Sequence, residues 1–140
     1  MADFEKIGAL ILRGNRMLLC RKGRETSKLI LPGGRIEPGE SDAECLAREL
    51  REELGSVSLS HAEYLGTYED RASLDDPTVV KTVRIALYRG ELSGQPVPSS
   101  EIVELVWFGP DSDPSQLTPI LVNRILPDLL ARAILPWGVK

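Results

Sequence analysis

The segment Asp42 to Leu54, DAECLARELREEL, constrains this chain more than any other. On a helical wheel of roughly 100° per residue, Ala43, Leu46, Ala47, Leu50 and Leu54 form one apolar stripe. Glu49, Glu52 and Glu53, spaced i, i+3 and i+4, form a second. Glu44, Arg48 and Arg51 fill the third sector, where Glu44–Arg48 has ion-pair spacing and Arg48–Glu52 links to the acidic stripe. Ser41 with Glu44 makes a capping box at the start, and Gly55 ends the helix. Such a helix must bury its apolar stripe against another layer. The acidic stripe borders the apolar one, so it is expected to line a cleft rather than a fully solvated face. Three like charges on one patch repel, and a divalent cation with a preference for oxygen ligands, such as Mg²⁺, removes that cost. Just upstream, Pro32-Gly33-Gly34 lets the backbone pass close to the helix, where a carbonyl can join a metal shell.

Around this helix the chain reads as strands. Lys6 to Arg13 and Arg16 to Arg21 flank Gly14-Asn15, a hairpin dipeptide. Lys28 to Leu31 is a third extended run, with Pro32-Gly33-Gly34 expected to stop it. Val57 to Asp70 and Val79 to Arg89 are β-rich, Gly90 to Ser100 is a loop, and Ile102 to Phe108 is another strand. Asn123 to Leu135 is a closing helix interrupted or started by Pro127. Strands around two helices indicate an α/β or α+β sandwich, and 140 residues fit a single domain over 1–140.

The formal charge of −4 argues against a general nucleic-acid binder, which needs a basic face, yet permits an anionic ligand neutralised locally by a metal. Cys20 and Cys45 form no zinc or disulfide pattern and read as reduced, packed thiols. The N-terminal MADFEKIG lacks signal-peptide character, and no apolar window is long enough to span a membrane. A cytoplasmic enzyme is the expectation.

Taken as a unit, Gly34 to Gly55, GRIEPGESDAECLARELREELG, resembles the Nudix box. Gly34, Glu40, Arg48, Glu49, Leu50, Glu52, Glu53 and Gly55 match at the required spacing, while Ser56 stands where an apolar residue is usual. The resemblance implies a Nudix-type α/β/α sandwich around a central mixed β-sheet. It also implies hydrolysis of a phosphoanhydride in a nucleoside-diphosphate-containing small molecule, dependent on Mg²⁺, with Mn²⁺ able to substitute. Glu49, Glu52 and Glu53 match the metal-binding glutamates and the Gly33 carbonyl the backbone ligand. Arg48 is expected to orient these carboxylates, and Glu40 either to complete an outer shell or to brace the loop. For the general base the resemblance leaves a box glutamate or a later acidic residue. Glu101, just before IVELVWF, is the candidate and Glu104 its rival. Arg21 matches a residue that meets substrate phosphate, with Arg13, Lys22, Arg24 and Arg35 available for a cationic rim. Gly34 also falls at the substrate side. His61 reads as surface.

The box leaves the leaving group open. No proline stands near Ala72, Tyr64 and Tyr68 are too close for the dinucleoside polyphosphate pattern, and no SQPWPFPxS-like string exists. A (deoxy)nucleoside triphosphate pyrophosphohydrolase remains, including the type that removes oxidised nucleotides, with Asn123 able to offer donor and acceptor to a purine edge. Hydrolysis of ADP-ribose or another nucleoside-diphosphate sugar is the alternative. A non-catalytic Nudix-fold sensor is the alternative of another class, disfavoured because every box glutamate is present. Many relatives are dimers, which leaves a homodimer open.

Overall fold

The computed structural model describes residues 2–24 and 26–137. Its first two strands, β1 (Phe4–Arg13) and β2 (Arg16–Lys22), meet at Gly14-Asn15, where Gly14 takes φ 63°. They pair only near the turn, at Leu12↔Met17 and Arg13↔Arg16, and then splay apart. The chain fills the splay with its own next segment. Ile30 exchanges backbone hydrogen bonds with Cys20, the Ala9 N–H donates to the Pro32 carbonyl, and β3 (Gly33–Arg35) pairs with Lys6, Ile7 and Gly8 of β1. The expectation that Pro32-Gly33-Gly34 would stop the run is therefore corrected: the glycines are a strand. Gly33 has φ 144°, and a Cβ there would lie 2.0 Å from the Ile7 carbonyl oxygen, so only glycine lets the strand close.

β4 (Ser58–Arg71), β5 (Thr82–Ser93) and β6 (Ile102–Phe108) complete a sheet of order β4-β5-β1-β2-β6, with β3 on β1. β1 and β5 run parallel and the other pairs antiparallel, so the sheet is mixed, as expected. β5 starts later than the sequence suggests and extends into the expected loop, to Ser93.

Alternation along the central strands makes two cores. Ile7, Ala9, Ile11, Leu18 and Cys20 face α1 (Asp42–Leu54), meeting Cys45, Leu46, Leu50 and Leu54. Leu10, Met17 and Leu19 face the other way, onto Leu121, Ile125 and Leu129 of the closing helix. The arrangement is the α/β/α sandwich.

Both helices differ in detail from the sequence reading. The capping box at Ser41 and Glu44 is present. The buried side of α1, however, is Cys45, Leu46, Leu50, Glu53 and Leu54, while Ala43 and Ala47 are exposed. The cause is β3, whose backbone lies along the Cys45 side: Cys45 Sγ sits 3.4 Å from the Arg35 carbonyl. The closing helix begins at Pro119 rather than Asn123, passes through a π-helical turn at Leu121–Ile125, and ends as α2 (Leu126–Ala131) rather than at Leu135. Pro127 explains the wide turn. It has no N–H to donate and its ring crowds the carbonyl four residues back, and a π turn just ahead, with Leu126 N–H donating to the Leu121 carbonyl, makes room. Past Ala131 the N–H groups of Ile134 and Leu135 both fold back to the Leu129 carbonyl, and Ala133 takes φ 57°.

Candidate active site

The three glutamates of α1 occupy three different environments. Glu53 is buried, with 4% of its surface exposed, and its Oε1 accepts a 2.8 Å hydrogen bond from the Gly33 N–H. Burial pushes its carboxyl up to about 8, against the pull of that N–H, and the nearby Glu49 adds to the rise. Glu49 is half-buried under Gly34, where a Cβ would come within 2.3 Å of its carboxyl carbon. Burial also raises Glu49, with Arg48 opposing the shift. The Glu52 side chain, by contrast, is 53% exposed and points outward.

Arg48 organises this patch. Its Nε donates to Glu40 Oε2 at 2.6 Å, its Nη1 to Glu49 Oε1 at 2.9 Å and Glu52 Oε1 at 3.4 Å, and its Nη2 to the Arg35 carbonyl at 3.0 Å. Glu37 approaches the same guanidinium at 3.6 Å. Glu44, the ion-pair partner expected from helical spacing, is instead committed to the cap. The Glu40 carboxylate accepts three hydrogen bonds, from Arg48 Nε and Nη2 and from the Glu37 N–H, and Arg48 first and Glu37 second hold it down at about 2. Glu40 thus ties the β3–α1 loop to α1.

Glu49 and Glu53 open into a cleft of about 400 Å³ that Glu101 also lines. Glu101 pairs with Arg24 at 3.1 Å and with Lys22 at 3.7 Å. Burial acts to raise it, but Lys22 and Arg24 outweigh that effect and hold its carboxyl below the usual range. Lys6, Lys22, Arg24, Arg35 and Arg71 bring positive charge to the same cleft, and Phe4, Leu31, Val83 and Ile85 give it an apolar wall. The rival Glu104 is elsewhere: it sits opposite Arg21 across β2–β6 and accepts from its Nε at 2.7 Å.

Two expected substrate residues do not reach the cleft. The remaining donors of Arg21 go to Gln116 Oε1, at 2.7 Å, and to the Ser27 carbonyl. Asn123 is exposed on the π turn and donates to Asp70 at 3.1 Å. Arg13 of the expected rim lies over the Trp107 ring at 4.3 Å, and His61 is exposed. Lys22, Arg24 and Arg35 are at the cleft. Sequence reasoning missed Phe4, Lys6 and Arg71. A lysine alternating with Phe4 at the start of an otherwise apolar strand was the available signal.

The donor chemistry suits a hard cation. Glu49 and Glu53 are confined oxygen donors, both pushed toward protonation by burial, and a divalent ion relieves that. Among the described residues, no three acidic, histidine or cysteine side chains converge as a ready-made cage. The reason is visible: Arg48 draws Glu49 and Glu52 toward itself, while Glu53 is turned to Gly33. No helix among the described residues is long and apolar enough to cross a membrane.

Comparison with known proteins agrees with this geometry. The NUDIX domain model matches residues 5–122. The NAD-capped RNA hydrolase NudC of Pseudomonas aeruginosa PAO1 is 32% identical over 131 residues, which cover 88% of this chain and 42% of that protein. The CTP pyrophosphohydrolase of Escherichia coli K12 is 34% identical over 76 residues, covering 52% of this chain and 56% of that one. The chain therefore spans about half the length of these curated relatives. Among solved structures, the MutT NUDIX hydrolase of Burkholderia pseudomallei superposes with a TM-score of 0.72 at 28% identity, covering 89% of this chain and 95% of that one. The fold, the box and the matched span agree, and the chain belongs to the Nudix hydrolase family.

Proposed function

We propose that this chain is a Mg²⁺-dependent hydrolase of the phosphoanhydride in a nucleoside-diphosphate-containing substrate, foremost a (deoxy)nucleoside triphosphate, oxidised ones included. Water and the triphosphate give the nucleoside monophosphate and pyrophosphate. The observation that carries the reading is the sharing of one cleft by Glu49, Glu53 and Glu101 with Lys22, Arg24 and Arg35. We read the 140 residues as one domain, its two cores drawing on residues from Ile7 to Leu135.

Glu49 and Glu53 would hold Mg²⁺, or Mn²⁺ in its place, with the Gly33 carbonyl beside them and Glu52 joining once it leaves Arg48. The ion supplies neutralisation of phosphate charge and a more acidic water. Arg48 positions Glu49 and Glu52, and Glu40 braces Arg48. Gly34, having no Cβ, lets β3 pack directly on the Glu49 carboxyl at the wall of the cleft where the substrate would lie. Glu101 is ionised at neutral pH and takes the proton from the attacking water. Its two cations weaken it as a base in the free protein, and substrate phosphates that draw Lys22 and Arg24 away strengthen it. Phosphate contact belongs to Lys22 and Arg24 rather than Arg21, because the Arg21 guanidinium is held by Glu104, Gln116 and Ser27.

The similarity to a CTP pyrophosphohydrolase supports the triphosphate reading. The similarity to an NAD-capped RNA hydrolase favours a second one, cleavage of ADP-ribose or another nucleoside-diphosphate derivative. A product screen over nucleotides and nucleotide sugars with Mg²⁺ separates them. Pyrophosphate release from triphosphates is the expected result. Faster release of two monophosphate halves from a diphosphate conjugate would select the second reading. No turnover of any compound would leave a sensor.

A further inference from the structure

Phe4, Lys6 and Arg35 share one face of the β1–β3 pair. Lys6 and Arg35 are register partners, and Phe4 lies two residues from Lys6, so the three are direct and diagonal neighbours. Their heads converge on one ring. The Arg35 guanidinium carbon lies 4.5 Å from the Phe4 centroid, and the Lys6 ammonium lies 5.7 Å from it. Arg35 directly follows Gly34, which packs on the Glu49 carboxyl, yet its guanidinium lies over the ring, drawn by the negative π face. All three residues line the cleft, next to the apolar Val83 and Ile85.

Arg35 is exposed and lines the cleft, so its guanidinium is accessible to a ligand there. A planar, weakly hydrated cation stacks well on aromatic rings, nucleobases included. The neutral polar side chains on the cleft wall are hydroxyls, Thr26, Ser73 and Thr118, of which Thr26 and Ser73 bond each other and Thr26 also accepts from the Lys28 N–H. We propose that the Phe4–Arg35 pair is the platform on which the substrate's nucleobase stacks, so that the base is held by its π face rather than selected by its hydrogen-bonding edge. The proposal rests on reading the cleft as a nucleotide site. It places the base one strand residue plus an arginine stem away from the acidic end, leaving the phosphates over Glu49 and Glu53.

The test compares two probes on the full chain with Mg²⁺. One is a slowly cleaved α,β-methylene ethenoadenosine triphosphate, whose base fluorescence responds to stacking. The other is methylenediphosphonate, which has phosphonates and no base. Arg35→Ala and Phe4→Leu should each weaken the nucleotide about 10-fold and abolish its fluorescence change, while methylenediphosphonate binds as before. Phe4→Leu keeps the apolar packing and removes the ring, and thermal melts verify the fold. Arg35→Lys keeps the charge and should fail like Arg35→Ala. Rescue by lysine, or equal weakening of both probes, would make Arg35 a phosphate ligand and overturn the platform while the nucleotide reading stands. Unchanged binding in all variants would also overturn it. Failure of the wild type to bind either probe would sink the nucleotide reading itself, and the platform with it.

Discussion

Gly33 and Glu53 are joined across the β3–α1 junction: the glycine N–H donates to the glutamate carboxyl at 2.8 Å, and it is the strand passing overhead that buries this carboxyl. Two features of the chain thereby become one. The glycine pair exists so that backbone can lie on α1, and α1 carries its acids where that backbone covers them.

The first consequence is a pH-dependent stability. Glu53 titrates near 8 in the fold and near 4.5 unfolded, so between those values the folded state binds the extra proton. Stability of the metal-free protein should therefore fall as pH rises from about 5 to 9, by on the order of a few kcal/mol. Glu53→Gln keeps an acceptor for Gly33 and should flatten that slope in thermal melts. The same variant should lose about 10²-fold or more in turnover with Mg²⁺. A wild-type slope that persists in the variant would assign it to another group.

Metal dependence is the second. Excess chelator should abolish turnover, Mg²⁺ or Mn²⁺ should restore it, and Ca²⁺, larger and looser in geometry, should support little. Binding competes with protons on Glu49 and Glu53, so the rise in Tm on adding Mg²⁺ should grow with pH. Full activity in excess EDTA would remove the metal from the mechanism.

The adjacent glycines should respond differently to the same added methyl. At Gly34 the new Cβ meets the Glu49 carboxylate, the far end of a flexible side chain that can swing aside. Gly34→Ala should keep most of its stability and lose roughly 10-fold or more in kcat. At Gly33 it meets the Ile7 carbonyl, which is backbone, at a φ that side chains rarely adopt. Gly33→Ala should lower Tm sharply. Equal effects on Tm would mean that β3 yields more easily than its packing indicates.

The sequence made α1 legible because its determinants are local: a capping box, a terminal glycine and spacings of three and four along one helix. The inequality of Glu49, Glu52 and Glu53 was not legible. It depends on β3, which reaches α1 only because β1 and β2 part after their turn, a non-local event. The same strand turned Cys45 inward and left Ala43 and Ala47 outside. Arg21 and Lys22 are adjacent in RMLLCRK, yet on either side of a register shift Arg21 pairs with Glu104 while Lys22 lines the cleft.

That register shift sets up the last prediction, which concerns the general base. Glu101 lines the cleft and Glu104 faces Arg21, so their glutamine variants should part company. Glu101→Gln should lower kcat by roughly 10²–10⁴-fold with substrate binding close to wild type, the usual cost of losing a base. Glu104→Gln should leave kcat near wild type and cost at most about 1 kcal/mol of stability, since it weakens one partly exposed ion pair. The pH profiles add a sharper check. Lys22 and Arg24 hold the Glu101 carboxyl below the usual range in the free protein, so the acidic limb of kcat/KM should fall below ordinary glutamate values. In the complex, phosphates compete for those two cations, so the acidic limb of kcat should sit higher. Both limbs should vanish or move in Glu101→Gln. If Glu101→Gln is silent and Glu104→Gln is crippled, β6 presents the opposite face in solution. If neither matters, the base lies on α1, and Glu49, half-buried beside the substrate path, becomes the residue to change next.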